Sequence, residues 1–168
     1  CQNANWWVRR VTFDSNYALA REPSGSMDVA LELCRNMVAT GLADSNRLYV
    51  TGLSLGGYGT WDAIQRGPDS LRFAAAIPIC GNGDIRRVSL IKKMPVWVFH
   101  GQVDKNVPVA CSRRMVEALK QAGSHAVRYT EFADGAHDVW DRAYSDPEVI
   151  AWLLSQTLVS KRPWWRFW

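Results

Sequence analysis

The stretch that decides the fold is Leu48-Tyr49-Val50-Thr51-Gly52-Leu53-Ser54-Leu55-Gly56-Gly57-Tyr58-Gly59-Thr60-Trp61. An apolar run rich in β-branched and aromatic residues meets Gly-x-Ser-x-Gly, and Trp61-Asp62-Ala63-Ile64-Gln65 follows at helical spacing. Strand, sharp turn and helix in that order make the setting of a nucleophile elbow. The serine at such a tip is held in a strained backbone conformation with its hydroxyl exposed above the sheet, and the flanking glycines let neighbouring backbone pass close by. The alternative is a Gly-rich turn that serves packing alone.

Upstream, Met27, Ala30, Leu31, Cys34, Met37 and Val38 fall at i, i+3, i+4 spacing, which predicts an amphipathic helix capped at Ser26 and stopped at Gly41. Residues 1–25 carry no sustained period and read as a long loop with a short strand at 8–13. Downstream, Gly67-Pro68-Asp69-Ser70 breaks the elbow helix. Residues 73–80, 94–100 and 127–132 read as short buried strands. Between them lie a partly helical loop and a helix over 112–122, with Met115, Val116 and Leu119 inward and Gly123 as its stop. A last helix opens at Asp146-Pro147 with Val149, Ile150, Leu153, Leu154 and Leu158 as its apolar residues. Alternating helices and strands predict an α/β fold of three layers, α/β/α, around a mainly parallel sheet with right-handed crossovers. In such sheets functional loops sit at the carboxyl ends of the strands.

Ser54, Asp104 and His137 each follow the end of a different predicted strand. A serine hydroxyl is a weak nucleophile until a base takes its proton, and the base needs a carboxylate to fix its tautomer. The chain order Ser, acid, His belongs to one class of such sites. Asp134, Asp138 and Asp141 compete for the acid's role, and position after a strand favours Asp104. The N–H of Leu55 would be one oxyanion donor, at a helix start where the dipole favours negative charge. His100 reads as structural and His125 as a surface residue.

Composition narrows the rest. With 168 residues and 48% apolar content, the chain is long enough for one packed domain. Of the net charge of +4, three charges come from Lys161, Arg162 and Arg166, so the body shows no basic face for nucleic acid. The four cysteines, Cys1, Cys34, Cys80 and Cys111, form no C-x-x-C pair, so neither zinc spacing nor a thioredoxin-type redox motif is present and no metal is expected. A serine acting through a base and a carboxylate calls for no cofactor. Cys80 and Cys111 follow neighbouring strand ends and are the pair favoured for a disulfide, with buried thiols as the alternative. No run is long and apolar enough to span a membrane, and residues 1–6 do not have the form of a signal peptide. The domain is expected over 1–160, with 161–168 as a basic Trp-rich tail that either meets an interface or polymer surface or folds over the chain's own apolar edge.

Three blocks carry a resemblance: Tyr49-Val50-Thr51-Gly52-Leu53-Ser54-Leu55-Gly56-Gly57-Tyr58-Gly59-Thr60-Trp61, His100-Gly101-Gln102-Val103-Asp104-Lys105-Asn106-Val107-Pro108 and Gly135-Ala136-His137-Asp138-Val139-Trp140. They resemble microbial α/β-hydrolase esterases, in the branch with predicted peptidases, feruloyl and acetyl-xylan esterases, polyhydroxyalkanoate depolymerases and phospholipase/carboxylesterases. The resemblance implies a carboxylic-ester hydrolase with Ser54 as nucleophile, Asp104 as orienting acid, His137 as general base and Trp140 near the site. It also implies a small-molecule or polysaccharide-linked ester as substrate, and a secreted or periplasmic location with the cytoplasm as the alternative. In those families several strands and a second oxyanion loop precede the elbow. The resemblance therefore implies the C-terminal half of the fold, with the elbow strand as an edge that associates with another segment or chain. The alternatives are a non-catalytic interaction module, or a peptidase or acyltransferase using the same three residues.

Overall fold

The computed structural model describes residues 7–13, 17–66 and 71–158. The Trp-rich tail, the breaker at 67–70 and Cys1 lie outside the described residues. Four parallel strands, β1 (Tyr49–Leu53), β2 (Ala75–Ile79), β3 (Val96–Gly101) and β4 (Val127–Phe132), lie side by side in chain order. Helices α1 (Gly25–Ala39), α2 (Leu55–Ile64), α3 (Val88–Ile91), α4 (Ala110–Gln121), α5 (Trp140–Ser145) and α6 (Pro147–Ser155) complete the layers.

Side chains alternate between the faces of a strand, and the two cores follow that rule. Ala76, Val96 and Val98 pack beneath α1, α2, α3 and α4 through Leu31, Trp61, Ile91 and Met115. Ala75, Ile77, Ile79, Trp97 and Phe99 face the other way, onto Ala143 of α5 and Val149 and Leu153 of α6. β2 and β3 are buried at every residue, as strands covered on both faces should be. Among the described residues β1 pairs with β2 alone, so the elbow strand lies at an edge of this sheet, as expected.

Several local expectations are corrected. No strand forms among residues 7–13; Val8 is buried against Tyr17, Tyr58 and Cys111 without sheet pairing. The first helix is capped by Ser24 rather than Ser26: the Ser24 hydroxyl accepts the N–H of Met27 at 3.1 Å, satisfying one of the helix's open donors. Cys80 and Cys111 are not joined by a disulfide. Cys80 belongs to the core on the α5–α6 face and its thiol donates to the carbonyl of His137, whereas Cys111 of α4 packs in the cluster around Tyr58 and its thiol donates to the carbonyl of Phe13. In α6, Val149 and Leu153 point inward four residues apart, which turns Ile150 and Leu154 out to solvent. Its cap is the expected one: the Asp146 carboxylate accepts the N–H of Glu148 at 2.9 Å, with Pro147 at the first position.

Candidate active site

β1 ends at Leu53, and the chain reverses into α2 through Ser54, whose φ of 54° and ψ of −118° are strained for a residue with a side chain. Two backbone bonds over-determine that conformation: the Ser54 N–H donates to Ile79 at 2.9 Å and the Ser54 carbonyl accepts from Tyr58 at 3.1 Å. The turn closes only because Gly52 has no side chain, since a Cβ there would stand 2.4 Å from the carbonyl oxygen of Gly56. Leu55 is the first residue of α2, so its N–H is one of the donors the helix itself leaves open.

The other two residues arrive from β3 and β4. Asp104 lies in the loop after β3. Its Oδ1 accepts the N–H groups of Asn106 at 2.8 Å and Val107 at 2.9 Å, and its side chain is shielded from solvent. His137 lies in the loop after β4, which crosses directly over Gly101; a Cβ at Gly101 would stand 2.0 Å from the carbonyl oxygen of Ala136. His137 Nδ1 lies 2.7 Å from Asp104 Oδ2, and His137 Nε2 lies 2.9 Å from Ser54 Oγ. Residues 54, 104 and 137 are thus joined in one line of hydrogen bonds. The carboxylate fixes the proton on Nδ1 and leaves Nε2 as the acceptor facing the serine. Burial pushes the Asp104 carboxyl upward, but the bonds from His137, Val107 and Asn106 outweigh it and hold the group below the ordinary carboxylate range.

The competing acids do not reach the imidazole in this way: Asp134 is exposed and pairs with Arg142 at 2.8 Å. Trp140, at the start of α5, stands edge-on to the His137 ring with centroids 5.5 Å apart. His125 is exposed. His100 is fully buried, hydrogen-bonded to Ser112 and to the carbonyl of Val107.

Two features escaped the sequence. Ser54 opens onto a cavity of about 390 Å³ lined by Val11, Phe13, Leu55, Tyr58, Asn106 and Val107. Two of its walls come from the N-terminal segment, which has no periodicity to reveal them. Cys80, just past the end of β2, also has a positive φ, of 49°. Its sulfur, an Asp104 carboxylate oxygen and a His137 ring nitrogen lie within 4.8 Å of one another. Burial pushes the Cys80 thiol up to about 12, so near neutral pH it is a protonated donor rather than a thiolate. Its position after a strand end, shared with Ser54, Asp104 and His137, was the available signal.

No family model matches the chain. A thermostable esterase of known structure superposes with a TM-score of 0.77 and is 40% identical, covering 85% of this chain and 40% of its own. Arabidopsis thaliana SOBER1 superposes with a TM-score of 0.63 at 17% identity, over 89% of this chain and 71% of its own, a likeness of fold alone. Lipase 5 of Candida albicans is 24% identical over 75 residues, 45% of this chain and 16% of the lipase. The chain thus spans less than half the length of the esterase and about a sixth of the lipase. The parallel sheet, the strand-turn-helix around Ser54 and the 40% identity to the thermostable esterase identify the chain as one of α/β-hydrolase fold.

Proposed function

We propose that this chain carries the catalytic site of a serine carboxylesterase, and that Ser54, His137 and Asp104 act as nucleophile, base and orienting acid. The observation that carries the reading is the hydrogen-bond line from Ser54 Oγ through His137 to Asp104 Oδ2, at 2.9 Å and 2.7 Å, across the carboxyl ends of parallel strands. Further support is the 40% identity to a thermostable esterase.

In this mechanism Ser54 Oγ attacks the ester carbonyl as His137 Nε2 takes its proton. The buried Asp104 carboxylate stabilises the imidazolium that forms. Negative charge developing on the carbonyl oxygen meets the open N–H of Leu55 at the start of α2. His137 returns the proton to the departing alcohol, leaving an acyl group on Ser54. It then activates water to release the acid and regenerate the serine. The cavity beside Ser54 is walled by Val11, Phe13, Leu55, Tyr58 and Val107 with Asn106 as its amide, which suits a short apolar or single-ring group of the ester, free or attached to a polysaccharide.

The test is labelling by a fluorophosphonate and turnover of p-nitrophenyl acetate, beside Ser54→Ala. Labelling should vanish and kcat/KM should fall by roughly 10⁴-fold or more in the variant. Turnover that survives the substitution would refute the mechanism. A folded wild type that neither labels nor turns over would favour a binding module built on the same elbow.

A further inference from the structure

Asp104 is engaged by more than the groups named so far. Its Oδ1 takes two backbone N–H groups, and its Oδ2, 2.7 Å from His137 Nδ1, also lies 3.3 Å from Nε2 of His100. His100 is the penultimate residue of β3 and has no exposed surface. Its two ring nitrogens have unlike neighbours, and these settle the tautomer. The Val107 carbonyl, 2.9 Å from Nε2, can only accept, so Nε2 carries the hydrogen. Nδ1 is then a bare acceptor and takes the hydroxyl hydrogen of Ser112, which lies 2.7 Å away in α4. Burial lowers the His100 pKa, in keeping with a neutral ring.

We infer that His100 is a positioning residue of the Ser54 site: its Nε2–H holds the Asp104 carboxylate and the carbonyl of Val107, and Ser112 anchors the ring to α4. The inference rests on the hydrolase reading for its kinetic consequence but not for its geometry. Asp104 Oδ1 takes two backbone N–H groups, Oδ2 takes the ring N–H of His137, and the single Nε2–H of His100, bonded to the Val107 carbonyl at 2.9 Å, stands 3.3 Å from the same Oδ2, where it acts as a shared, longer contact. These contacts hold the carboxylate on both oxygens and resist its rotation away from His137. Its charge is also shared between two donors, which makes it a weaker base toward His137 than a carboxylate with one imidazole partner. Other ionisable groups around the cluster are the Cys80 thiol from the end of β2, Tyr58 of α2, Asp138 beside His137 and Glu131 of β4. Only His100 and His137 bring a ring N–H to Oδ2 among the described residues.

Two substitutions separate the ring's two ends. In His100→Asn the amide falls near the place of Nδ1 and nothing reaches Asp104. In His100→Gln it reaches the place of Nε2 and restores a donor. Each full-length variant is assayed for kcat/KM on p-nitrophenyl acetate against pH, and by proton NMR for the downfield resonance of His137 Nδ1–H. With its second donor gone, the carboxylate becomes more basic and favours a protonated His137, so the acid limb of the profile moves to higher pH. For His100→Asn the expected result is a limb about half a pH unit higher, a kcat about tenfold lower with little change in KM, and a displaced Nδ1–H resonance. His100→Gln should recover kcat to within about threefold and bring back the limb and resonance. Equal behaviour of the two variants, or a wild-type limb and resonance in His100→Asn, would overturn the assignment.

If His100→Asn does not fold, Ser112→Ala serves: the ring stays but loses its anchor, and the limb and resonance should move in the same direction by less. An unmoved limb and resonance there overturn the assignment equally. A wild type inert to esters, with the resonance displaced in His100→Asn and held in His100→Gln, would overturn the hydrolase reading while supporting the role of His100.

Discussion

The two edges of the sheet are finished in different ways. β4 presents Arg128, Tyr129 and Glu131, and each is engaged. Glu131 pairs with Arg113 of α4 and accepts the Tyr129 hydroxyl, while Arg128 pairs with Glu148 and lies over the rings of Trp97 and Trp152. Charge of this kind discourages further strand pairing. β1, Tyr-Val-Thr-Gly-Leu, has no charged residue. It borders a cavity of about 500 Å³ whose walls include Trp7, Met27, Leu31, Cys34, Val50 and Phe73. Ser54 therefore sits at the end of the less covered strand, whereas Asp104 and His137 rise from the covered side. Alignment of the three depends on how firmly the β1 side is tied to the rest.

One tie dominates that side, and cutting it should have the largest effect. Arg66, just past α2, makes two bonds of 2.6 Å to the Asp62 carboxylate and two of 2.9 Å to the carbonyls of Ala20 and Arg21. The pair is almost wholly buried, with side chains 7% and 1% exposed. Burial already pushes the Asp62 carboxyl upward despite the pull of Arg66. Arg66→Leu leaves that carboxylate without its partner and frees the segment at 20–21, so unfolding free energy should fall by about 3–5 kcal/mol in urea titration. A loss below 1 kcal/mol would show that the N-terminal segment is secured elsewhere.

The next contrast is between strands. Ile77, at the centre of β2, has no exposed surface, and Ile77→Ala should cost about 2–5 kcal/mol through lost burial and the cavity left behind. Val50 is only partly buried and borders the open cavity, so Val50→Ala should cost about 1 kcal/mol. Equal losses would mean that the β1 side is as well packed as the centre.

The same contrast explains what could be read from the residues alone. The strands β2 and β3 are buried on both faces, so continuous apolar runs gave them away, and the caps at Asp146 and Gly123 follow from local chemistry. The placement of Ser54, Asp104 and His137 after strand ends was legible because parallel topology puts all such loops on one side. Residues 8–13 were not, because Val8 is buried by packing against Tyr17 and Tyr58, a tertiary contact with no period. Ser24 and Ser26 are equally good capping residues, and only the entry path of the chain chooses between them. The short helix α5 was missed since six residues hold too few turns for a periodic pattern. The link from Ser112 to His100 to Asp104 joins residues on a helix, a strand and a loop, and a sequence pattern does not register such a path.

On the covered side the proposed activity leans on Gly101. The loop carrying His137 crosses it so closely that a methyl group would meet the carbonyl oxygens of both Ala136 and Gly135. Gly101→Ala should push that loop away from Asp104 and Ser54, and a shift of about 1 Å in a catalytic group lowers kcat/KM by about 10²-fold. His137 would move while the β1 side stays put, so fluorophosphonate labelling should slow with little change in the urea midpoint. Unchanged labelling would place the slack in the loop rather than at Ser54.

The smallest effect belongs to the β4 edge itself. Hydrogen bonds from Arg113 and Tyr129 outweigh the desolvation and hold the Glu131 carboxyl down at about 2, below the ordinary glutamate value of 4.5. A carboxyl whose pKa is depressed by folding contributes stability above its unfolded pKa and loses it as the pH falls through the folded one. The advantage of wild type over Glu131→Gln should therefore be constant above about pH 5 and fade between about 4.5 and 2. The pair is partly open to solvent, so the difference in Tm should be small, a degree or two, and should shrink further in high salt. Melting curves of both proteins from pH 2 to 7 at two salt concentrations read this directly. A Tm difference that persists unchanged at pH 2 would mean that Glu131 acts by packing against Tyr129 and not through its charge. The finish of this edge would then be steric.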